Sequence, residues 1–558
     1  MELTNFRSFG ADKTVVEFPD DENLLALVGA NNAGKSNLLD ALRLVLGRLR
    51  RFAPDPADFH QLDLSQELRI DLYLREPLKR ENVYRKTDEV HGFFFRVWRA
   101  DRGGQRGQLK TEHYCYGADG KTYVPPAAVG RRGSSGPNSD VEPIRYLPAS
   151  ASRIVPQLGR VHYLSPNMYR AFDTNGYGVL AQLLDVYRED FRSAENTYKL
   201  PGPAGEVITR ADAYDRFAVR LRDILRTEKL ADIEASLSEN LQTVLGPNAA
   251  GAEVSIALPT AEELLAEILS LRVQDDAASP VLSVDRLGAG YQSLLRLAIL
   301  RTYAELAEDT RPAVFLIEEP EAYLNPHLRR FFGTTLRLLA ERGNDVVVTT
   351  HDAAFVSLPE YRTVSRMAKK DGRSVVYRCT DPLDFSYERI AQKLRRGGNA
   401  EVLFAEKAIL CEGSDDVAAV RALLERLKIE PDSLNISVVD CGGRDTLPDY
   451  IRLLDALSIE LLVITDGDKA MAAKDGSTKK KVEAVEKAAK GRVFRFVEDI
   501  EDALGCEKQR DNVAQLVSLV ETLDLADLAD DHEVNQLVAS LTGFCVPQPV
   551  KAPAAPAE

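Results

Sequence analysis

The chain has 558 residues, is 44% hydrophobic and 28% charged, and carries a formal net charge of −15. That length holds two or three domains with sizeable cores. The acidic balance argues against attraction of nucleic acid by whole-surface charge and leaves that task to a local basic groove.

No run approaches the roughly 18 apolar residues of a membrane span. The opening MELTNFRSFG lacks the basic-then-apolar layout of a secretory signal, so a cytoplasmic address away from membranes is expected. Six cysteines (Cys115, Cys379, Cys411, Cys441, Cys506, Cys545) occur without a CxxC pair, which argues against a zinc site or a disulfide framework and for structural thiols.

In chain order, the first 125 residues or so read as a sheet-rich lobe, with alternation in LRIDLYL (68–74) and FFFRVW (93–98). Within it, residues 29–36 read GANNAGKS, a phosphate-binding loop. Its glycines let backbone N–H groups approach phosphates, Lys35 neutralises β/γ charge, and Ser36 offers a hydroxyl to Mg²⁺. LLALV (24–28) is a buried strand running into the loop, and residues 37–42 open a helix whose N-terminus faces the phosphates. The expected ATP-binding set is Asn31, Asn32, Gly34, Lys35, Ser36 and Asn37.

Residues 125–139 are rich in turn formers and read as an exposed loop. From 177 to 245 the pattern turns helical, with a break at Pro201-Gly202-Pro203; it reads as an inserted arm, the alternative being further helices of the ATPase core. LGAGYQS (287–293) opens a helix with Gly288, Gly290 and Ser293 placed to cradle phosphate. VFLI (314–317) delivers Glu318 and Glu319 to a strand end, the first to hold Mg²⁺ and the second to polarise the attacking water. VVVTT (346–350) is a second buried strand, ending at His351, which is either a γ-phosphate contact or a core histidine.

The stretches NFRSF, GANNAGKSN, LGAGYQS, FLIEEPEAYLNP and TTHD together resemble the ABC-type ATPases of the structural-maintenance and recombination-repair group, over about residues 1–170 and 250–380. The resemblance implies that Gly288, Gly290 and Ser293 reach the γ-phosphate held by a second subunit, so that ATP closes a dimer of heads. Glu318 stands where many members have aspartate. For the family's glutamine loop, Asp58, His60 and Gln61 are the candidates.

Further on, AILC (408–411) ends in Glu412-Gly413-Ser414-Asp415-Asp416, residues 459–465 end in Asp466-Gly467-Asp468, and VVDCGG (438–443) lies between. Ends of parallel strands converge, so Glu412, Asp466 and Asp468 would gather hard oxygen ligands suited to Mg²⁺ or Mn²⁺. Two ions there could activate water and stabilise the leaving oxygen during phosphodiester cleavage. Each motif alone could equally be a turn or a helix cap. Their order resembles a Toprim domain over about residues 405–505. The resemblance implies metal roles for Glu412, Asp466 and Asp468, adds Asp416 as a further ligand, and makes Glu501, of the group Glu498, Asp499 and Glu501, the candidate for completing a second metal site. Lys479-Lys480-Lys481 is either a backbone-phosphate contact or a solvated loop, and Arg131-Arg132 and Arg395-Arg396 read as surface charges.

An ABC-type ATPase followed by a Toprim domain resembles the OLD-family nucleases. The expected α/β architecture is an ATPase head (1–174 and 246–395), a helical dimerisation insertion (175–245), a Toprim domain (396–546) and a disordered tail (547–558). The implied activity is ATP-regulated, metal-dependent DNA cleavage, with catalytic residues Glu319, Glu412, Asp466 and Asp468, in phage defence or DNA repair. Implied partners are DNA, a second copy of the chain and, if encoded nearby, a helicase. The competing reading is a DNA-binding repair ATPase whose Toprim domain does not cleave. Topoisomerase and primase relatives are remote, because too little chain follows the Toprim segment for a strand-passage domain and primases lack an attached ABC head.

Overall fold

The computed structural model describes residues 1–18, 22–46, 53–81, 87–100, 107–117, 147–148, 161–165, 179–201, 206–245, 256, 258–260, 264, 271–274, 282–306, 312–356, 361–379, 399–469, 473, 475–506, 513–525 and 527–546. The expected loop at 125–139, both arginine pairs and the tail at 547–558 lie outside them. Two compact units emerge: residues 1–166 with 312–558, and residues 167–311.

The first unit begins with β1 (Glu2–Thr4), β2 (Thr14–Val15), β3 (Leu24–Val28), α1 (Lys35–Val45), β4 (Leu68–Glu81), β5 (Thr87–Arg99), β6 (Leu109–Tyr116), β7 (Leu147–Pro148) and β8 (Val161–Leu164). An antiparallel sheet runs β2-β1-β4-β5-β6-β7. β4 and β5 extend beyond the alternating heptad and hexad, resuming their pairing past an irregularity between Tyr73 and Leu78.

The second unit holds α2 (Val179–Arg192), a hairpin of β9 (Thr197–Lys199) and β10 (Val207–Thr209), α3 (Arg210–Leu225), α4 (Glu228–Leu245), paired strands β11 (Arg272–Val273) and β12 (Leu282–Ser283), and α5 (Ala289–Leu306). The hairpin brackets the proline-glycine break. α3 is capped by Thr209, whose side chain accepts from the Asp212 N–H, and none of its residues is buried.

The first unit resumes with β13 (Val314–Glu318), α6 (Pro326–Glu341), β14 (Asp345–Thr349), α7 (Ala353–Val356), β15 (Val364–Lys370) and β16 (Arg373–Arg378). These strands join β3 and β8 in a second sheet ordered β16-β15-β3-β14-β13-β8, parallel except for β16 at the edge. α1 packs its apolar face (Leu38, Leu39, Leu42, Val45) between the two sheets, against Leu25 and Leu27 of β3 and Ile70, Phe93 and Phe95 of the antiparallel sheet. Burying one such leucine contributes roughly 1.5–3 kcal/mol.

A smaller parallel sheet follows, built from β17 (Lys407–Cys411), α8 (Ser414–Arg426), β18 (Ile436–Asp440), α9 (Leu447–Ala456), β19 (Glu460–Thr465), α10 (Gly476–Ala489), β20 (Val493–Arg495) and the helices α11 (Ile500–Ala503), α12 (Val513–Thr522) and α13 (Glu533–Cys545). Its order is β18-β17-β19-β20. Because β17 has β18 on one side and β19 on the other, the order reverses beside β17, and ligands of open α/β sheets bind at the carboxyl ends of such strands. No described helix is long and apolar enough to cross a membrane.

Candidate functional site

Two groups of side chains stand at carboxyl ends of parallel strands. The first surrounds the loop between β3 and α1. Gly29 has φ +135°, and a Cβ there would lie 2.1 Å from the Met367 carbonyl oxygen; Gly34 has φ +103°, and a Cβ there would meet the Ser374 and Ser8 hydroxyls. The loop can take its course only with glycine at these positions. Lys35 is buried, its Nζ donating to the Gly29 and Ala30 carbonyls at 2.9 and 3.0 Å. Burial lowers its pKa to about 8, with Glu319 and Glu321 opposing. Asn31, Asn32 and Ser36 are exposed, whereas Asn37 donates to Ser8 Oγ at 2.8 Å.

β13 and β14 bring the remaining groups to this end. Glu318, at the end of β13, accepts from the Tyr163 hydroxyl at 2.5 Å, and burial followed by this bond raises the tyrosine's pKa. The Arg43 guanidinium covers the Tyr163 ring at 3.8 Å, and Asp40 ties Arg43 to Arg7 through contacts of 2.6 and 2.7 Å. Glu319 adopts a left-handed φ of +44° while its N–H is held by the Thr349 carbonyl at 2.9 Å. Its carboxylate stands 3.8 Å from His351 Nε2. Burial and then Lys35 lower the His351 pKa, against Glu319, which leaves a neutral ring at pH 7.

Sequence reasoning passed over Glu321. Its two oxygens accept from the His351 N–H at 2.6 Å and the Thr350 hydroxyl at 3.0 Å, fixing the turn that presents His351. Burial raises its pKa despite these donors. Of the glutamine-loop candidates, Asp58 is buried and pairs with Arg7 at 3.1 Å, His60 contacts the Arg7 carbonyl through Nδ1, and Gln61 is exposed with φ +51°.

In the separate helical unit, Gly288 is exposed with open space where a Cβ would stand, and Gly290 lies in the first turn of α5. Ser293 is buried, and its neighbour Gln292 is tied to the Leu287 and Val284 carbonyls at 2.9 and 3.2 Å.

The second group lies at the reversal point of the small sheet. Glu412 follows β17, Asp466 follows β19, and the two strands are adjacent and in register, Cys411 opposite Ile464. Between Glu412 and Asp468 sits Arg444, 8% exposed, its Nη2 3.0 Å from Glu412 Oε2 and its Nη1 donating to Asp468 Oδ2 at 2.8 Å. Thr465 Oγ1 also donates to Glu412 at 3.0 Å. Burial opposes the Arg444 charge, but Glu412 and Asp468 outweigh it and raise its pKa. Gly467 lets the turn lie against β20's continuation, since a Cβ there would lie 2.2 Å from the Phe496 carbonyl. The turn itself is pinned by Gly467 and Asp468 N–H groups donating to the Glu498 carbonyl.

Asp416 and Glu501 are both buried, and Asp416 is near enough to Glu412 and to Glu501 to feel both charges. Asp416 caps its own helix by accepting from the Gly413 N–H at 2.9 Å; burial, with Glu412 and Glu501 adding to it, pushes its pKa up to about 7. Among the described residues no three of His, Cys, Asp and Glu already converge at liganding distance. The donors are nonetheless all oxygens, and a buried guanidinium lies between two of them, so the pocket fits a hard cation that would replace part of the arginine's charge. At this second group Arg444 is the residue that sequence reasoning missed; the Gly442-Gly443-Arg444 string gave no sign of its partners.

The lysine run is helical, not a loop: α10 begins at Gly476 after Asp475, whose carboxylate accepts from the Ser477 and Thr478 N–H groups. Lys481 pairs with Asp445 at 3.0 Å, next to Arg444, and Lys479 lies 4.0 Å from Glu483.

Family models match three stretches: an overcoming lysogenization defect protein-like TOPRIM domain over residues 403–468, an AAA domain described as a putative AbiEii toxin of a type IV toxin-antitoxin system over 157–357, and an AAA domain over 1–97. The chain is 25% identical over 546 residues to an OLD nuclease of Thermus scotoductus, covering 91% of this chain and 92% of the relative. Over 235 residues it is 23% identical to the Old nuclease of Escherichia phage P2, covering 39% and 40%. Among solved structures, a SmcHead bound to the C-winged helix domain of ScpA covers 67% of this chain and 95% of its own at 17% identity and TM-score 0.38. The C-terminal region of the Burkholderia pseudomallei OLD protein covers 26% and 89% at 19% identity and TM-score 0.16. Neither structural likeness is high enough to bear on function. The sequence matches agree with the two strand-end groups, one in each part of the chain. By these matches the chain joins an AAA-type ATPase part to an OLD-like TOPRIM domain and is similar to OLD nucleases along most of its length.

Proposed function

We propose that the protein binds and hydrolyses ATP at the loop of residues 29–36 and cleaves DNA phosphodiesters, with Mg²⁺ or Mn²⁺, at the carboxylates Glu412, Asp466 and Asp468. The observation that carries this reading is the meeting of Glu412 and Asp468 on one buried arginine, at the reversal point of a parallel sheet. Asp416, and Glu501 whose charge reaches Asp416, would complete a second ion's shell. Divalent ions there would supply an activated water and neutralise the leaving oxygen. The chain's own part is to fix the carboxylates and to exclude competing ligands from the pocket.

At the head, Lys35 and the N-terminus of α1 would hold the phosphates, Ser36 and Glu318 the Mg²⁺, Glu319 the attacking water, and His351 the γ-phosphate. Asn31, Asn32, Gly34 and Asn37 shape the loop, and Gln61 is the best placed of the glutamine-loop candidates, being exposed. Gly288, Gly290 and Ser293 of a second copy would close over the nucleotide. A homodimer built on the helical insertion is supported by the exposed apolar side chains of α3 and α4, among them Phe217 at 60% and Ile224 at 73% exposure. The same reading keeps the division at 1–174, 175–245, 246–395 and 396–546, a cytoplasmic setting, a role in phage defence or DNA repair, and a helicase partner if one is encoded nearby.

One observation favours the non-cleaving alternative: the described carboxylates do not yet converge on a common point. Incubating the protein with plasmid DNA while varying metal and nucleotide independently separates the two. Metal-dependent nicking that disappears in Glu412→Gln supports the nuclease; DNA retention without nicking supports the binding module.

A further inference from the structure

The strand that flanks the phosphate loop also reaches into the C-terminal domain. β15 runs parallel to β3 and pairs Arg366 with Val28, the residue before Gly29. Successive side chains of a strand face opposite ways. Met367 accordingly lies in the head core with Leu25, Leu27 and the buried face of α1. Val364 lies on the other side with Val28, in a core shared with Ala408, Leu410, Tyr450 and Val463. The Met367 carbonyl is also the group that excludes a side chain from Gly29.

Arg366 is 4% exposed. Its Nη1 donates to the Leu457 and Ser458 carbonyls, both at 3.2 Å, and its Nη2 to the Ala405 carbonyl at 3.0 Å. These acceptors stand at the feet of two strands. Ala405 precedes β17, while Leu457 caps α9 and Ser458, with φ +54°, turns the chain into β19. At the far ends of these strands stand Glu412 and the Asp466-Gly467-Asp468 turn, and α9 itself starts directly after the short helix Arg444–Thr446. The cation suits the carbonyl end of a helix. Burial nevertheless lowers its pKa against Glu406 and Tyr377, so the position is a costly one for mere packing. What arginine adds over an apolar side chain is a rigid fork with fixed directions to three carbonyls.

We propose that Arg366 is a positioning residue through which the state of the phosphate loop sets the geometry of the Glu412, Asp466 and Asp468 carboxylates. The inference rests on the reading above, that the loop binds ATP and the carboxylates bind divalent ions. A phosphate that rearranges the loop at Gly29 presses on the Arg366–Met367 stretch of β15. The guanidinium then carries that shift to the feet of β17 and β19 and to the end of α9 at once.

The test uses the full chain and Mn²⁺ binding followed by the EPR signal of the free ion, with and without a non-hydrolysable ATP analogue. Glu412→Gln identifies which Mn²⁺ belongs to the Toprim carboxylates. In the unmodified protein the analogue is expected to change the affinity of that site on the order of fivefold or more. Arg366→Met should bind both ligands while the ratio falls to near one, and Arg366→Lys, a point charge without the fork, should fall between. Hydrogen exchange in the unmodified protein gives an answer that needs no variant: the analogue should alter exchange at residues 406–408 and 458–461. A full ratio in Arg366→Met, or exchange there indifferent to the analogue, overturns the proposal. Failure of the underlying reading looks different, because Mn²⁺ binding would then be unchanged in Glu412→Gln, or analogue binding unchanged in Lys35→Ala, and either result removes the proposal with it.

Discussion

Arg444 donates to Asp468 Oδ2 at 2.8 Å, and the same guanidinium stands 3.0 Å from Glu412, so the acidic pocket contains its own counter-charge. Removing one partner of such a buried set leaves the others uncompensated. Arg444→Met is expected to lose about 2–4 kcal/mol of stability in EDTA, less than a fully buried pair because both carboxylates are partly open to water. Added Mn²⁺ should restore more of its melting temperature than in the parent, and should bind more tightly because no arginine competes. Calorimetric melting in EDTA and in Mn²⁺ checks both.

Lys35 has a pKa near 8 in the folded chain against an ordinary 10.5. Between those values the unfolded chain binds a proton that the folded chain has released, so this group makes the nucleotide-free protein more stable as pH rises through about 8 to 10.5. Bound phosphates favour the charged amine and reverse the shift. ATP affinity is therefore expected to fall as pH rises past about 8, by at most about tenfold per unit. Anisotropy of a fluorescent ATP analogue at pH 7 and pH 9.5 reads this, and Lys35→Met should bind weakly with the pH dependence gone.

Glu319 is held in a strained left-handed conformation with its carboxylate facing His351. Such strain at a turn is sustained by the hydrogen bonds around it. Glu319→Gln keeps size and polarity but cannot accept a proton. ATP turnover is expected to drop about 10²–10⁴-fold while nucleotide affinity stays within a few fold. Equal losses in turnover and affinity would assign Glu319 to binding instead.

The loop's course was legible from GANNAGKS because glycine, lysine and serine at that spacing answer to a single local geometry. The strand ends carrying Glu318, Glu412 and Asp466 were legible for a related reason: apolar runs that stop at carboxylates mark the edge of a buried sheet. Pairings across the chain were not. Nothing local ties Arg444 to Asp468, Tyr163 to Glu318, or Arg366 to the carbonyls of Ala405 and Leu457. The helix under the lysines of α10 was not legible from their run of like charge; its signal is the cap, Asp475 before Gly476-Ser477-Thr478. The β9–β10 hairpin was hidden by the proline-glycine break it encloses.

Gly29→Ala places a methyl 2.1 Å from the Met367 carbonyl at a φ of +135°. Neither the contact nor the dihedral can relax without moving β15. A loss of about 1–3 kcal/mol in stability is expected, together with loss of ATP binding. Chemical denaturation and analogue binding on the same preparation check this.

The exposed apolar side chains Phe217 and Ile224 on α3 are expected to be covered by a second copy. Phe217→Asp with Ile224→Asp should convert a dimer into a monomer by light scattering, with melting temperature little changed. A parent protein that is already monomeric with ATP present would contradict the dimer.

An anomalous diffraction map from crystals soaked in Mn²⁺ tests the carboxylate metal site itself. A peak is expected within coordinating reach of Glu412 and Asp466, with Arg444 displaced from between Glu412 and Asp468. Arg444 still bridging the two carboxylates, with no anomalous density at the ends of β17 and β19 under saturating Mn²⁺, would contradict it.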